Sequence, residues 1–153
     1  MKVKNEIIIK DRLKDVFEIT NDVRNWPLLF KNYTKVEILE EDENSIKFRL
    51  FMNDGQKEIS WISLRKTDRK KFSVEGERLD PIFPFDYMKL KWYYEQVKEG
   101  TKLSWEQEFI PSKSLDPADQ KRLIEHMLNS PQKELQYIKE RYERIVKKEK
   151  DKD

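Results

Sequence analysis

The 153-residue chain has the length of one domain with a single core, enough to bury roughly 70% of the surface its unfolded form exposes. Charged residues make up 41% of it, yet 32 Lys and Arg against 30 Asp and Glu leave only +2, a mixed surface without the basic footprint of a nucleic-acid binder. The lack of cysteine excludes disulfides, a thiolate nucleophile and a Cys-based zinc site. No apolar run approaches the ~20 residues that cross a bilayer, and with no apolar leader over Met1–Lys10 the expected location is the cytoplasm.

Val3–Lys10, apolar and β-branched at Ile7–Ile9, is expected to be a strand. Asp11 is placed to cap a short helix, Arg12–Thr20, which aligns Leu13, Val16, Phe17 and Thr20 on one side. Asn25 and Pro27 then open a second short helix, Asn25–Phe30. From Thr34 the apolar period changes to two. The expected strands are Lys35–Glu41, Ser45–Met52, Gln56–Thr67, Lys71–Leu79, Tyr87–Lys98 and Lys102–Ile110. Turn residues at Asp42–Asn44, Asn53–Gly55, Asp68–Lys70 and Glu99–Gly100 join them as an antiparallel meander. Leu79–Phe85 differs, because Pro81 and Pro84 surround Ile82 and Phe83 in an apolar loop that should cover something rather than face water.

After Pro111 the period returns to 3.6. Asp116-Pro117 marks a helix start, and Ser130-Pro131 with Glu134 repeats the signal as a capping box. The terminal helix is therefore expected in two segments, Pro117–Leu128 and Pro131–Lys148, with a kink or break at Pro131. Leu135, Ile138, Tyr142 and Ile145 form its apolar stripe, and Lys147–Asp153 reads as a frayed charged end, which bounds one domain at 1–148 and leaves 149–153 as a tail. The elements add up to an α+β fold in which a curved antiparallel sheet wraps around the last helix.

Alternation decides which side chains share the concave face. Trp61, Ser63 and Arg65 fall together, as do Val74, Gly76 and Arg78, then Met88, Leu90, Trp92 and Tyr94, then Leu103, Trp105, Gln107 and Phe109, while Ser45–Met52 turns in Ile46, Phe48, Leu50 and Met52. Two guanidiniums thus point into an otherwise apolar space, where an unpaired one costs several kcal/mol. A carboxylate on the sheet, water or an oxygen-rich ligand would each compensate, and the residues leave all three open. The tryptophans likewise read either as core or as cavity wall. His126, the sole histidine, falls on the terminal helix as a surface or boundary residue, so neither a His-based triad nor a three-histidine metal site is expected. Glu106 and Glu108 face away from Gln107 and should be solvated.

The run Ile19-Thr-Asn-Asp-Val-Arg-Asn-Trp-Pro-Leu-Leu-Phe-Lys-Asn-Tyr33 is followed by Val36-Glu-Ile-Leu39, Phe48-Arg-Leu50, Trp61-Ile-Ser63-Leu-Arg65, Glu77-Arg78-Leu79, Phe85-Asp-Tyr87-Met88, Trp92 and Trp105-Glu-Gln107-Glu-Phe109. Over about residues 5–145 this series closely resembles the aromatase/cyclases of type II polyketide synthases. Those proteins belong to the helix-grip (START/Bet v 1-like) superfamily, shared with plant allergen-like and steroid-carrier domains. The resemblance implies an enzyme that takes a linear poly-β-ketone tethered to an acyl carrier protein, bends it in an internal cavity, and promotes intramolecular aldol closure and dehydration to an aromatic ring. It implies a carrier protein and a ketosynthase as partners and no metal or other cofactor, and it leaves the oligomeric state open.

Transferred residue by residue, the family's pocket falls on Trp26, Phe30, Tyr33, Ser63, Arg65, Arg78, Met88 and Trp92, with its polar helix position at Asn129 or Ser130. The strand faces add Phe48, Leu50, Trp61, Leu90, Trp105 and Gln107. The chain departs from the pattern in a loop at Asp80–Phe85 that is one residue longer and in Pro131 near the pocket mouth. In this chemistry Arg65, seconded by Arg78, would hold the developing enolate. Tyr33 would carry a proton if a neighbouring arginine lowered its phenol from about 10, and Ser63 would orient Arg65 or relay a proton. A non-enzymatic carrier of a quinone, sterol or lipid is the alternative on the same fold. Paired arginines inside an apolar cup favour the enzyme. A regulatory protein partner would need an exposed patch that the sequence does not display.

Overall fold

Period-two patterning is realised as seven strands in one antiparallel sheet, ordered β1-β7-β6-β5-β4-β3-β2 in the computed structural model, which describes residues 1–151. The strands are β1 (Lys2–Ile9), β2 (Tyr33–Glu41), β3 (Ser45–Asn53), β4 (Glu58–Asp68), β5 (Ser73–Asp80), β6 (Phe85–Val97) and β7 (Gly100–Pro111). Each lies where expected, with ends that move by no more than two residues. Because β1 pairs with β7 rather than with β2, the sheet curls, and helices α1 (Leu13–Asn21) and α2 (Trp26–Leu29) carry the chain from one edge to the other. Helix α1 packs on β6 and β7, α2 on β2, and the long helix α3 (Pro117–Asp151) on β1, β7 and α2. This is the helix-grip arrangement anticipated from the sequence.

At the starts of α1 and α2 other partners take the residues expected as caps. Asp11 does not cap α1: one carboxylate oxygen accepts the Arg12 N–H at 2.9 Å and the other the Tyr142 O–H at 2.7 Å, which ties the start of α1 to α3. Asn25 does not cap α2, since its amide instead donates to the Ile19 carbonyl at 3.0 Å. Asp116 does cap α3, accepting the Asp119 N–H at 2.8 Å. The expected break at Pro131 is absent, and helix continues from Pro117 through Asp151. Pro131 removes the donor for the Met127 carbonyl. Met127 and Leu135 on either side of it are buried against the sheet, however, and that packing holds the two halves in one helix. The charged end is helical as far as Asp151, and residues 152–153 lie outside the described residues.

The Leu79–Phe85 loop also departs from expectation, for Ile82 and Phe83 are exposed and only Phe85 turns inward. The core proper surrounds Val16, Phe17, Trp26, Phe48, Leu103, Leu135 and Tyr142, with a satellite of Val3, Phe85, Phe109 and Met127. The α1–α2 corner is pinned by Thr20, whose hydroxyl lies 2.6 Å from that of Tyr94 and whose carbonyl accepts the Trp26 indole N–H at 2.9 Å.

On the opposite face the same alternation builds two cross-strand rows of side chains. One runs Lys66, Glu75, Lys91, Glu106, Lys4, and the other Leu64, Glu77, Lys89, Glu108, Lys2. Charges in each row alternate in sign from strand to strand, with Lys2–Glu106 closest at 2.9 Å.

Candidate active site

The concave faces of β2 to β7 and the inward sides of α2 and α3 enclose a cavity of about 280 Å³. It lies just under the ~300 Å³ at which ligand pockets usually begin. Trp26, Phe30, Tyr33, Phe48, Leu50, Trp61, Ser63, Arg65, Arg78, Met88, Leu90, Trp92, Trp105, Gln107 and Ser130 all line it, while Leu64 and Glu77, of the opposite strand parity, reach its edge. Asn129 does not: it is exposed on α3, while Ser130, one position on, takes the inward place. A larger hollow of about 420 Å³ lies among the outer charged rows, where acids and bases neutralise one another and no set of like donors converges.

One wall of the cavity is a continuous aromatic stack. Trp26 lies 5.7 Å from Trp92, Trp92 5.0 Å from Trp105, and Trp105 6.0 Å from Phe30, all near parallel. Tyr33 closes the set at 4.5 Å from Phe30. The rings therefore pack on one another and still leave space beside them for a flat guest.

Arg65 is only 2% exposed and has no carboxylate partner among the described residues. One amino group donates to Asn21 Oδ1 at 2.9 Å, while Nε and Nη1 find no acceptor among the described residues. The guanidinium instead rests 4.2 Å from the Trp92 ring and 4.9 Å from that of Trp26, positions in which ring quadrupoles partly replace lost hydration. Burial pushes its pKa down to about 10, which still leaves a cation at neutral pH. Arg78 is half-buried and also pushed down by burial to about 10. It donates to the Pro81 and Phe83 carbonyls at 2.8 and 2.9 Å and lies 4.3 Å from Trp61. Pairing with glutamates on the sheet is thus not the solution adopted, since Glu77 turns to Lys89 on the outside, 3.8 Å away. Among the described residues two further polar atoms here lack partners, the Trp105 indole nitrogen and Gln107 Oε1.

The condition set for Tyr33 is not met. Burial raises its phenol well above the ordinary value, Glu134 adds to the rise, and the opposing pull of Arg78 and Arg65 does not prevail. Tyr33 is therefore a lasting O–H donor rather than a phenolate base. Ser63 shares the face but does not orient Arg65; Asn21 does, itself held through its amide to Thr67 Oγ1 at 3.0 Å. Asn21 lies inside the quoted Thr-Asn-Asp run, the one signal that could have found it.

On α3 the sequence reading misses two apolar lining residues, Leu123 and Met127, and two polar ones. His126, though exposed, reaches the cavity rim and pairs through Nδ1 with Ser130 Oγ at 3.0 Å. Glu134, read as part of a capping box, lines the interior, where burial pushes its carboxyl up to about 7. The i, i+4, i+8 spacing of 126, 130 and 134 was the available clue. Among the described residues no cluster of three His, Cys, Asp or Glu could hold a metal, and no helix is long and apolar enough to cross a membrane.

A profile of the family described as polyketide cyclase/dehydrase and lipid transport matches residues 11–128. A Streptomyces cyaneus protein named as a candidate polyketide cyclase is 36% identical over 146 residues, 93% of either chain. One of the same name from Streptomyces halstedii is 41% identical over 104 residues, 67% of this chain and 94% of its own. Among solved structures, the Zhui aromatase/cyclase of a Streptomyces species superposes with a TM-score of 0.85 at 20% identity over 95% of each chain. A STAR-related lipid transfer protein from Xanthomonas axonopodis gives 0.70 at 11% identity, over 90% of this chain and 82% of that one, so the fold is common to cyclases and lipid carriers. With a profile match across most of its length and a relative above 30% identity along nearly all of it, the chain belongs to the polyketide cyclase/dehydrase and lipid transport family.

Proposed function

We propose that this protein is a polyketide aromatase/cyclase, acting on a poly-β-ketone presented by an acyl carrier protein and closing it by aldol addition and dehydration. The observation that carries this reading is Arg65, a buried cation with two donor nitrogens, Nε and Nη1, that find no acceptor among the described residues, on the wall of an aromatic cavity. A poly-β-ketone supplies what such a site lacks, carbonyl oxygens on a chain that can curl against flat rings. Its methylenes, each between two ketones, are already acidic, so the protein's main tasks are to curl the chain, bring two carbons together and hold the oxygen on which charge develops. Arg65 takes that oxygen as enolate, Arg78 a second carbonyl nearer the mouth, and the Tyr33 O–H can donate to the alkoxide formed at the attacked carbon. A volume of about 280 Å³ holds a curled segment and not an extended chain, which favours closure over continued extension.

The deciding experiment is reconstitution with a minimal ketosynthase and its carrier protein, products being separated by chromatography. The complete system should yield one dominant ring-closed product, and omission of this protein should give a mixture of spontaneous products. Equal mixtures with and without it would leave the second reading, a carrier of a hydrophobic molecule, which the aromatic wall equally suits. Tyr33→Phe, which deletes one hydroxyl, is expected to slow closure roughly tenfold to a hundredfold with ligand binding unchanged.

Binding is checked separately. A flavonoid or anthraquinone should quench tryptophan emission saturably, because Trp26, Trp92 and Trp105 form the wall it would stack on, and Trp92→Phe should reduce the change. Quenching that rises linearly without saturation would mean that the cavity admits no such guest.

A further inference from the structure

His126, Ser130 and Glu134 form a polar row along α3, four residues apart, and all three line the cavity. Two of them satisfy each other, Ser130 Oγ lying 3.0 Å from His126 Nδ1. Glu134 is different: it is half-buried, burial is the sole cause of its displaced pKa, and no hydrogen bond or ion pair offsets it among the described residues. Glu134 and Tyr33 line the same cavity, and the negative charge of the one adds to the upward displacement of the other's phenol. A lone carboxyl in an aromatic cavity opposes folding and is not required by packing, since Leu135 and Ile138 on the same helix already supply the buried stripe.

We infer that Glu134 is the general base of ring closure, the group that removes the methylene proton, an assignment that rests on the cyclase reading above. The Glu134 carboxylate takes a proton from a methylene flanked by two ketones, and the C–H electron pair passes into an enolate whose oxygen is held by Arg65. The enolate carbon attacks a distal ketone carbon. One C–C bond forms, and the C=O π pair becomes an alkoxide, which recovers the proton from the Glu134 carboxylic acid and leaves a tertiary alcohol. In dehydration Glu134 takes the second proton from the same methylene carbon, the new C=C forms, and the departing hydroxide receives that proton as water. One water is lost per ring, no electrons are exchanged with an outside reagent, and Glu134 ends as the carboxylate.

A group that must both take and return a proton works best with its pKa near the operating pH, and Glu134, at about 7, meets that requirement while Tyr33, driven upward, does not. The titratable groups that face the cavity with it are Tyr33 on β2, Arg65 on β4, Arg78 on β5 and His126 on its own helix, while Glu77 borders it from β5 with its carboxylate turned to Lys89 outside. Helix α2 contributes none, and β1 and β7 turn Lys4, Glu6, Glu106 and Glu108 to the outer face.

The test uses the intact protein in the reconstituted system. E134Q is expected to lower ring-closed product by roughly 10²-fold or more while saturable anthraquinone quenching stays within about twofold of wild type. The wild-type rate should rise with pH through an inflection near 7, as the base deprotonates, and E134Q should lack it. E134Q with wild-type yield, or with the same inflection, overturns the assignment. Should E134Q not fold, the wild-type profile decides, because a rate flat between about pH 6 and 8 is incompatible with this base. Wild-type protein that gives no more closed product than the protein-free control removes the cyclase reading itself, and this assignment with it.

Discussion

Arg65→Met should lose roughly 10²-fold or more of ring-closed product, the scale seen when one oxyanion donor is deleted, and should at the same time be the more stable protein by about 1–3 kcal/mol. The two effects share a cause. Among the described residues the guanidinium has no carboxylate beside it and two donor nitrogens unpartnered, so folding bears its desolvation with Asn21 and two indole faces in return. Methionine fills a similar volume between Trp26 and Trp92 without a charge. Asn21 loses one acceptor contact but is half-buried and keeps its bond to Thr67. Chemical denaturation reports the stability, reconstitution the product, and anthraquinone quenching, which depends on the rings, should change little. A variant that is both less stable and fully active would make Arg65 a structural residue and sink its catalytic role.

Gly100→Ala should cost more than about 3 kcal/mol or abolish folding. Gly100 sits in the β6–β7 turn at φ +148°, where a Cβ would stand 2.2 Å from the Ile9 carbonyl oxygen and 3.0 Å from Lys10 Cα. Both obstacles are backbone, so relief requires that the end of β1 leave β7, beginning with the Ile9–Thr101 pair. Gly55 is the internal control. It has φ +100° but nothing within 4 Å of its hypothetical Cβ, so alanine there meets only the intrinsic penalty of about 1–2 kcal/mol. Urea titrations of the two variants should separate clearly; equal midpoints would mean that β1 does not approach the turn so closely.

What could be read in the chain follows from the range of each interaction. Strand alternation is a local, rigid code with a period of two, and it suffices to put Trp61, Ser63, Arg65 and Gln107 on the concave side, where they line the cavity. Helix ends were less legible because their signals are ambiguous. Ser130-Pro131 with Glu134 has the composition of a helix start, yet the burial of Met127 and Leu135 carries helix through it, and Glu134 becomes a cavity residue instead of a cap. Asp11 has the composition of a cap, but its partner, Tyr142, lies 131 residues away. Arg65 shows the same limit: its entry into an apolar space could be foreseen, whereas the choice of Asn21 over a carboxylate or Ser63 depends on how α1 meets β4.

The two charged rows on the outside of the sheet bear on how partners arrive. Each ion stands opposite one of contrary sign on the next strand, whose backbone runs about 4.8 Å away. That is less than the ~8 Å over which salt screens charge at physiological strength. Seen from a few water layers out, the fields cancel, and the back of the sheet is electrostatically silent despite its crowd of Lys and Glu. A macromolecule that meets this face first gains no acceleration from long-range attraction, so encounter there should proceed at the roughly 10⁵–10⁶ M⁻¹s⁻¹ of unsteered association and be nearly indifferent to added salt. Any steep dependence of association rate on ionic strength would therefore point to the rim of the cavity as the place of contact.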